Sequence, residues 1–163
     1  MTPKSDNNPE NASAERRVAL FAGSFNPFTI GHLSIVERAI SLFDHIVVGI
    51  GINIAKPGAA EDAERLADEA RRALARFGDR VSVTHFSGLA VDEAARHGAR
   101  FLLRGVRSVA DFEYERNMAD LNRRIGGGIE TVMLPALPEL GAISSSAVRE
   151  LRAFGRDVAE FLP

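Results

Sequence analysis

Val18-Ala19-Leu20-Phe21-Ala22, followed by Gly23-Ser24-Phe25-Asn26-Pro27-Phe28-Thr29-Ile30-Gly31-His32, decides the fold of this chain. The first five residues are a continuous apolar run, as in a buried strand. Leu33, Val36, Ala39, Ile40 and Phe43 then recur at helical spacing. A glycine turn, a hydroxyl and a histidine therefore stand where a strand hands over to a helix. The first N–H groups of a helix have no intrahelical partner and carry partial positive charge, so this handover suits a phosphate. His32, near the first turn, can donate a hydrogen bond to the same anion.

Outward from this stretch, apolar runs alternate with helical patterns. His45 to Ile50 predicts a second strand, 61–77 a helix ending at Gly78, and Val81 to His85 a third strand. Val91 to His97 predicts a short helix, Arg100 to Leu103 a fourth strand, and Asp111 to Ile125 a long helix ended by Gly126-Gly127-Gly128. Thr131 to Leu134 is a fifth strand, and Ser144 to Phe154 a helix with a capping serine at its start. This order, without hairpin signals, predicts an α/β fold: a Rossmann-like, doubly wound five-stranded parallel sheet with helices on both faces. In such sheets ligands bind at the carboxyl ends of the strands, near the switch in strand order.

The chain has 163 residues, enough for one domain with a substantial core. We expect a disordered tail over 1–15, which is polar, and a single domain over 16–163. The net charge of −2 argues against a nucleic-acid surface. There is no cysteine, which excludes disulfides, thiolate metal sites and a cysteine nucleophile. No apolar run is long enough to span a bilayer, and the first residues lack the apolar core of a signal peptide. The expected location is the cytoplasm.

Four segments fall at the expected carboxyl ends: Gly23 to His32, Asn53 to Lys56, Arg104 to Arg107, and Ile143 to Ser146. Together they offer a lysine, two arginines, a histidine, hydroxyls and two helix starts, a set able to hold several phosphates. They contain no nucleophile–base–orienter triad, so covalent catalysis has little support. Each piece also has a plain structural reading. The glycine turn can be a tight connection, His32 a structural histidine, Lys56 a solvated charge and Ser144 an N-cap. Arg104 and Arg107 can pair with Asp111, Glu113 or Glu115. Convergence on one rim of one sheet favours a site. Gly49-Ile50-Gly51 begins a dinucleotide fingerprint, but position 54 is Ile and no helix is predicted there. No metal-like cluster of histidines occurs. His45, His85 and His97 receive no role.

Gly23 to His32 resembles the (H/T)xGH signature of the nucleotidyltransferase superfamily. Ile143-Ser144-Ser145-Ser146 with Arg149 resembles its second signature. The twelve residues from Arg104 to Glu115 are similar to a segment typical of bacterial phosphopantetheine adenylyltransferases, and the match runs from about Arg17 to Pro163. Thr29 stands where cytidylyltransferases and nicotinamide mononucleotide adenylyltransferases carry His. The resemblance implies transfer of AMP from ATP to 4′-phosphopantetheine with Mg²⁺, directly and in line. It also implies a homohexamer and feedback inhibition by coenzyme A.

By the same resemblance, His32, Lys56 and Arg107 are the expected catalytic residues, and Ser24, Lys56, Ala90 and Arg104 bind the acceptor. ATP contacts are implied for Ser24, Phe25, His32, Gly105, Val106, Arg107 and Glu115. Leu140, Gly141, Ala142, Ile143, Ser144, Ser145 and Ser146 are expected to complete the ATP site, with no metal-ligating residue. His32 is expected to act as a neutral donor whose protonation the helix N-terminus disfavours. The chain departs from the family pattern in three places. Lys56-Pro57-Gly58-Ala59-Ala60 lacks an aromatic residue, Leu140 stands near the place of a frequent Trp, and Phe161-Leu162-Pro163 falls short of the C-terminal helix of many members.

Overall fold

The computed structural model describes residues 15–55 and 57–163. Nearly all of the segment expected as a tail, and Lys56, lie outside the described residues. Five strands are present: β1 (Val18–Gly23), β2 (His45–Gly51), β3 (Val81–Phe86), β4 (Phe101–Val106) and β5 (Glu130–Pro135). Between and after them run α1 (Ile30–Ala39), α2 (Ala59–Leu74), α3 (Ala90–Arg96), α4 (Val109–Ile125) and α5 (Ser145–Ala153). The strands make one parallel sheet in the order β3-β2-β1-β4-β5. The chain winds outward from β1 to β3, then returns to lay β4 on the other side of β1. The switch in strand order therefore falls between β1 and β4, and a crevice opens above their carboxyl ends.

Side chains alternate along β1 because the strand period is two. Ala19 and Phe21 join one core with Ile35, Val36 and Ala39 of α1 and Leu66, Ala67 and Ala70 of α2. Val18, Leu20 and Ala22 join the other core with Val91 and Ala94 of α3. Both faces of the central strand are thus covered by helices, as its unbroken apolar run predicts.

Several boundaries differ from the sequence expectation, and three have a clear local cause. The helix predicted over 61–77 ends at Leu74 and tightens into a 3₁₀ segment, Ala75–Arg80. Inside that segment Gly78 takes φ 54° and ψ −137°, which no helix accommodates. Strand β4 runs on to Val106, because Arg104 and Gly105 pair with Met133 and Leu134 of β5. The long helix starts at Val109, two residues early, because the Ser108 hydroxyl caps it by accepting from the Asp111 N–H.

Gly49 and Gly51 both lie in β2, so the partial dinucleotide fingerprint opens no helix. A Cβ on Gly49 would sit 2.9 Å from Leu20 Cδ1 and 3.1 Å from the Phe86 ring. On Gly51 the nearest atom would be 3.7 Å away. Gly49→Ala is therefore expected to destabilise the fold by about 1–3 kcal/mol through overpacking, with Gly51→Ala nearly neutral. Urea unfolding of the two variants side by side checks this contrast.

Candidate active site

A cleft of about 500 Å³ occupies the crevice between β1 and β4. Its walls come from the β1–α1 loop, the end of β4, the first turns of α4, and the start of α5.

His32 stands on its inner wall, held by the way α1 begins. Thr29 is the fully buried N-cap of α1, and its hydroxyl accepts from the His32 N–H at 3.4 Å. In return the Thr29 N–H donates to His32 Nδ1 at 3.0 Å. This is a capping box in which an imidazole replaces the usual Glu or Gln. An Nδ1 that accepts from an amide carries no proton, so the neutral ring holds its hydrogen on Nε2. No described group engages Nε2, which leaves it as a donor for the cleft.

Three phenyl rings surround that imidazole. Phe25 meets it edge-on with centroids 5.0 Å apart, Phe28 lies at 5.4 Å and Phe21 at 6.3 Å. Burial lowers the pKa of His32 from 6.5 to about 4, and the charges of Arg107 and then Arg104 push in the same direction. All three effects favour the neutral form of the ring, with burial as the leading cause. Phe25 itself is buried and takes φ 43°, a sparsely populated backbone region for a residue with a side chain. A Cβ on Gly23 would come 3.0 Å from the Phe25 ring, so glycine at 23 lets that ring fold back against the strand end.

The two arginines on β4 and just beyond it differ in freedom. Arg104 donates from Nε and Nη2 to the two carboxylate oxygens of Glu115, at 2.8 and 2.6 Å, and from Nη1 to the Ala22 carbonyl. Arg107 is exposed and donates to Asp111 through Nε at 3.2 Å. Of the three acids offered as partners by the sequence, Asp111 and Glu115 are used, and Glu113 makes no ion pair with either arginine.

The three serines divide their work. Ser144 Oγ caps α5 by accepting from the Ala147 N–H at 3.1 Å. Ser145 Oγ donates to the Pro27 carbonyl at 2.8 Å, and Arg149 donates to the Asn26 carbonyl and to Ser146 Oγ. The start of α5 is thereby bolted to the β1–α1 loop across 118 positions of sequence. The hydroxyls are occupied by structure, so the unpaired backbone N–H groups of the first turn are left to face an anion.

Most of the expected site residues meet here. Ser24, Phe25, His32, Arg104, Gly105, Arg107, Glu115, Leu140, Ile143, Ser144, Ser145 and Ser146 all line the cleft. Val106, Gly141 and Ala142 lie beside its wall in sequence without lining it. Ala90 begins α3 after the edge strand β3 and is not part of this lining. Lys56 lies outside the described residues. The sequence reading left Gly31, Ile35, Asp111, Tyr114 and Ala136 without a site role, and all five line the cleft. The capping box was legible as Thr-x-x-His at a helix start, had His been admitted in place of Glu.

Comparison with known proteins matches residues 20–151 to the cytidylyltransferase-like family. The chain is 50% identical over 149 residues to a phosphopantetheine adenylyltransferase of Porphyromonas gingivalis, covering 91% of this chain and 95% of that protein. It is 44% identical to the phosphopantetheine adenylyltransferase of Bacteroides thetaiotaomicron, covering 90% and 95%, and 40% identical to that of Parvibaculum lavamentivorans, covering 90% and 88%. In three dimensions it is similar to a bifunctional NMN adenylyltransferase/ADP ribose pyrophosphatase from Francisella tularensis. There the TM-score is 0.68 at 13% identity, over 90% of this chain and 45% of that one, a likeness of fold.

The geometry of His32 is open to direct measurement. Its ring is expected to show the Nε2–H tautomer in nitrogen–proton correlation spectra and to titrate at about 4. Because its folded value lies below 6.5, the unfolded chain binds the extra proton. The stability contributed by a neutral His32 is therefore complete above 6.5 and is lost as pH falls toward 4. A pH titration of both the spectra and the unfolding midpoint checks the sign.

Proposed function

The chain belongs to the cytidylyltransferase-like family, among its phosphopantetheine adenylyltransferases, and from that membership we propose how its cleft works. The enzyme is a nucleotidyltransferase of coenzyme A biosynthesis. It transfers AMP from ATP to 4′-phosphopantetheine, giving dephospho-coenzyme A and pyrophosphate. One observation carries the mechanism: His32, with Nδ1 taken by the Thr29 N–H, shares one cleft with Arg104, Arg107 and the start of α5.

An oxygen of the acceptor phosphate attacks the α-phosphorus of ATP in line. The new O–P bond forms as the bond to the β-phosphate bridging oxygen breaks, and pyrophosphate leaves with that electron pair. A phosphate monoester is largely ionised near neutral pH, so the step needs no base. Catalysis is then positioning and electrostatic stabilisation. His32 donates from Nε2 to an α-phosphate oxygen as charge grows there. Arg104, with Lys56 and Ser24, holds the acceptor phosphate. Arg107 and the start of α5 hold the β- and γ-phosphates. Leu140 and Ile143 supply an apolar wall for the adenine.

Among the described residues no three His, Asp or Glu side chains converge as a metal cage, and the cleft acids Asp111 and Glu115 are both engaged by arginines. Mg²⁺ would enter with ATP and offset phosphate charge there, beside Arg107 and the start of α5.

The homohexamer and inhibition by coenzyme A belong to the same reading. Helix α4 supports self-association: its single buried residue is Glu115, while Phe112, Leu121 and Ile125 are 47–59% exposed. Leu121 and Ile125, one turn apart, share a face that a second copy would cover. No described helix is long and apolar enough to cross a membrane.

Pyrophosphate release from ATP and Mg²⁺, with 4′-phosphopantetheine compared against nicotinamide mononucleotide, is expected with the former only. His32→Ala is expected to lower kcat by about 10²–10³ while changing the KM for ATP little. Sedimentation of Leu121→Glu/Ile125→Glu is expected to show a smaller species than the wild type.

A further inference from the structure

We propose that Glu93 is a positioning residue for the acceptor: by holding α3 to β3 it fixes the loop beside which the arm of 4′-phosphopantetheine lies. The proposal rests on the reaction given above. Glu93 sits in the middle of α3 and is only 4% exposed, although it carries a carboxylate. Its Oε2 accepts from Arg96 Nη1 at 2.5 Å. Its Oε1 accepts from His97 Nε2 at 3.0 Å and from Thr84 Oγ1 at 3.3 Å. Arg96 and His97 belong to the last turn of α3 and its cap, so those two bonds close within the helix. Among the described residues, the Thr84 bond alone carries the carboxylate across to the sheet. Val91 and Ala94 already give α3 its apolar anchors in the core. An apolar residue at 93 would bury the same face at a lower desolvation cost, so the buried carboxylate contributes orientation rather than stability.

Helix α3 needs such a tie. It has seven residues, opens after Leu89 without a side-chain cap, and is entered through Gly88 at φ 108°. A helix that short has little stability of its own, and a glycine in that conformation adds no side-chain contact. The Thr84–Glu93 bond spans nine positions, from the strand before the loop to the helix after it. It therefore closes the segment Ser87–Leu89 at both ends. That segment stands at the carboxyl rim of the sheet. With the acceptor phosphate at Arg104 and the β5 side given to ATP, the arm, two amide units and a thiol, has the β2–β3 side left to it. Strand β3 is two places from β1, about 10 Å, a span an extended arm crosses. Leu89, exposed in the loop, offers apolar surface beside that path.

Steady-state kinetics with ATP and 4′-phosphopantetheine varied separately, on Thr84→Val, Glu93→Leu and Glu93→Gln, tests this. Thr84→Val keeps the shape and removes the bond to the sheet. We expect it to raise the acceptor KM about fivefold, while the ATP KM and kcat move by less than about twofold. Glu93→Leu is expected to raise the acceptor KM at least as far without lowering the urea midpoint. Glu93→Gln, which keeps an oxygen for Thr84, is expected to stay within about twofold of the wild type. An acceptor KM unchanged in Thr84→Val would overturn the proposal, as would an ATP KM or kcat that shifts as far as the acceptor KM. A Glu93→Gln acceptor KM as high as that of Glu93→Leu would overturn it too. Should Glu93→Leu fail to fold, the two KM values of Thr84→Val decide. A wild-type protein inert toward 4′-phosphopantetheine would instead refute the proposed reaction, an outcome visible before any variant is made.

Discussion

The cleft depends on one hydrogen bond, from the Thr29 N–H to His32 Nδ1. It satisfies an amide that α1 would otherwise leave unpaired, so it helps to start the helix. It also decides which nitrogen of the ring carries the proton, and therefore whether the cleft faces a donor or an acceptor. A structural duty and a chemical one are discharged by the same pair of atoms. The buried Thr29 side chain and the three phenyl rings keep water from competing for that bond.

Around this point the molecule arranges charge with restraint. A pocket for several phosphates needs cations, yet unopposed cations crowded together destabilise the folded chain in the absence of ligand. Two of the arginines on the cleft are answered by carboxylates from α4, and the third, Arg149, by the backbone carbonyl of Asn26 and the hydroxyl of Ser146. The attraction for anions is left to directed N–H groups, which act at short range and at chosen angles.

Much of this was legible in the residues. The alternation of apolar runs and helical periods defines a parallel sheet, and β1 reads as doubly buried because Val18 to Ala22 contains no polar residue. The segments from Gly23 to His32 and from Arg104 to Arg107 read as neighbours on one rim of the sheet, and residues of both line the cleft. Other features were hidden because they depend on distance in space. Strand β4 runs beyond Leu103 because β5 pairs with it, and no local pattern records a partner strand. The occupation of Ser145 by the Pro27 carbonyl, and of Glu115 by Arg104, appears only when remote segments are brought together. Gly78 looked like the residue after a helix, but its backbone breaks a 3₁₀ segment from within.

The link between α5 and the β1–α1 loop ends on main-chain carbonyls, those of Asn26 and Pro27. Every amino acid presents a carbonyl, so this half of the link is written in backbone geometry and leaves no residue preference of its own. The other half, Ser145 and Arg149, carries all the chemical identity. Substitution can therefore drift through one side of the joint while the other stays constrained. Two segments that are mechanically coupled would then show no paired changes in an alignment, and a covariation map would miss a contact that holds the site together.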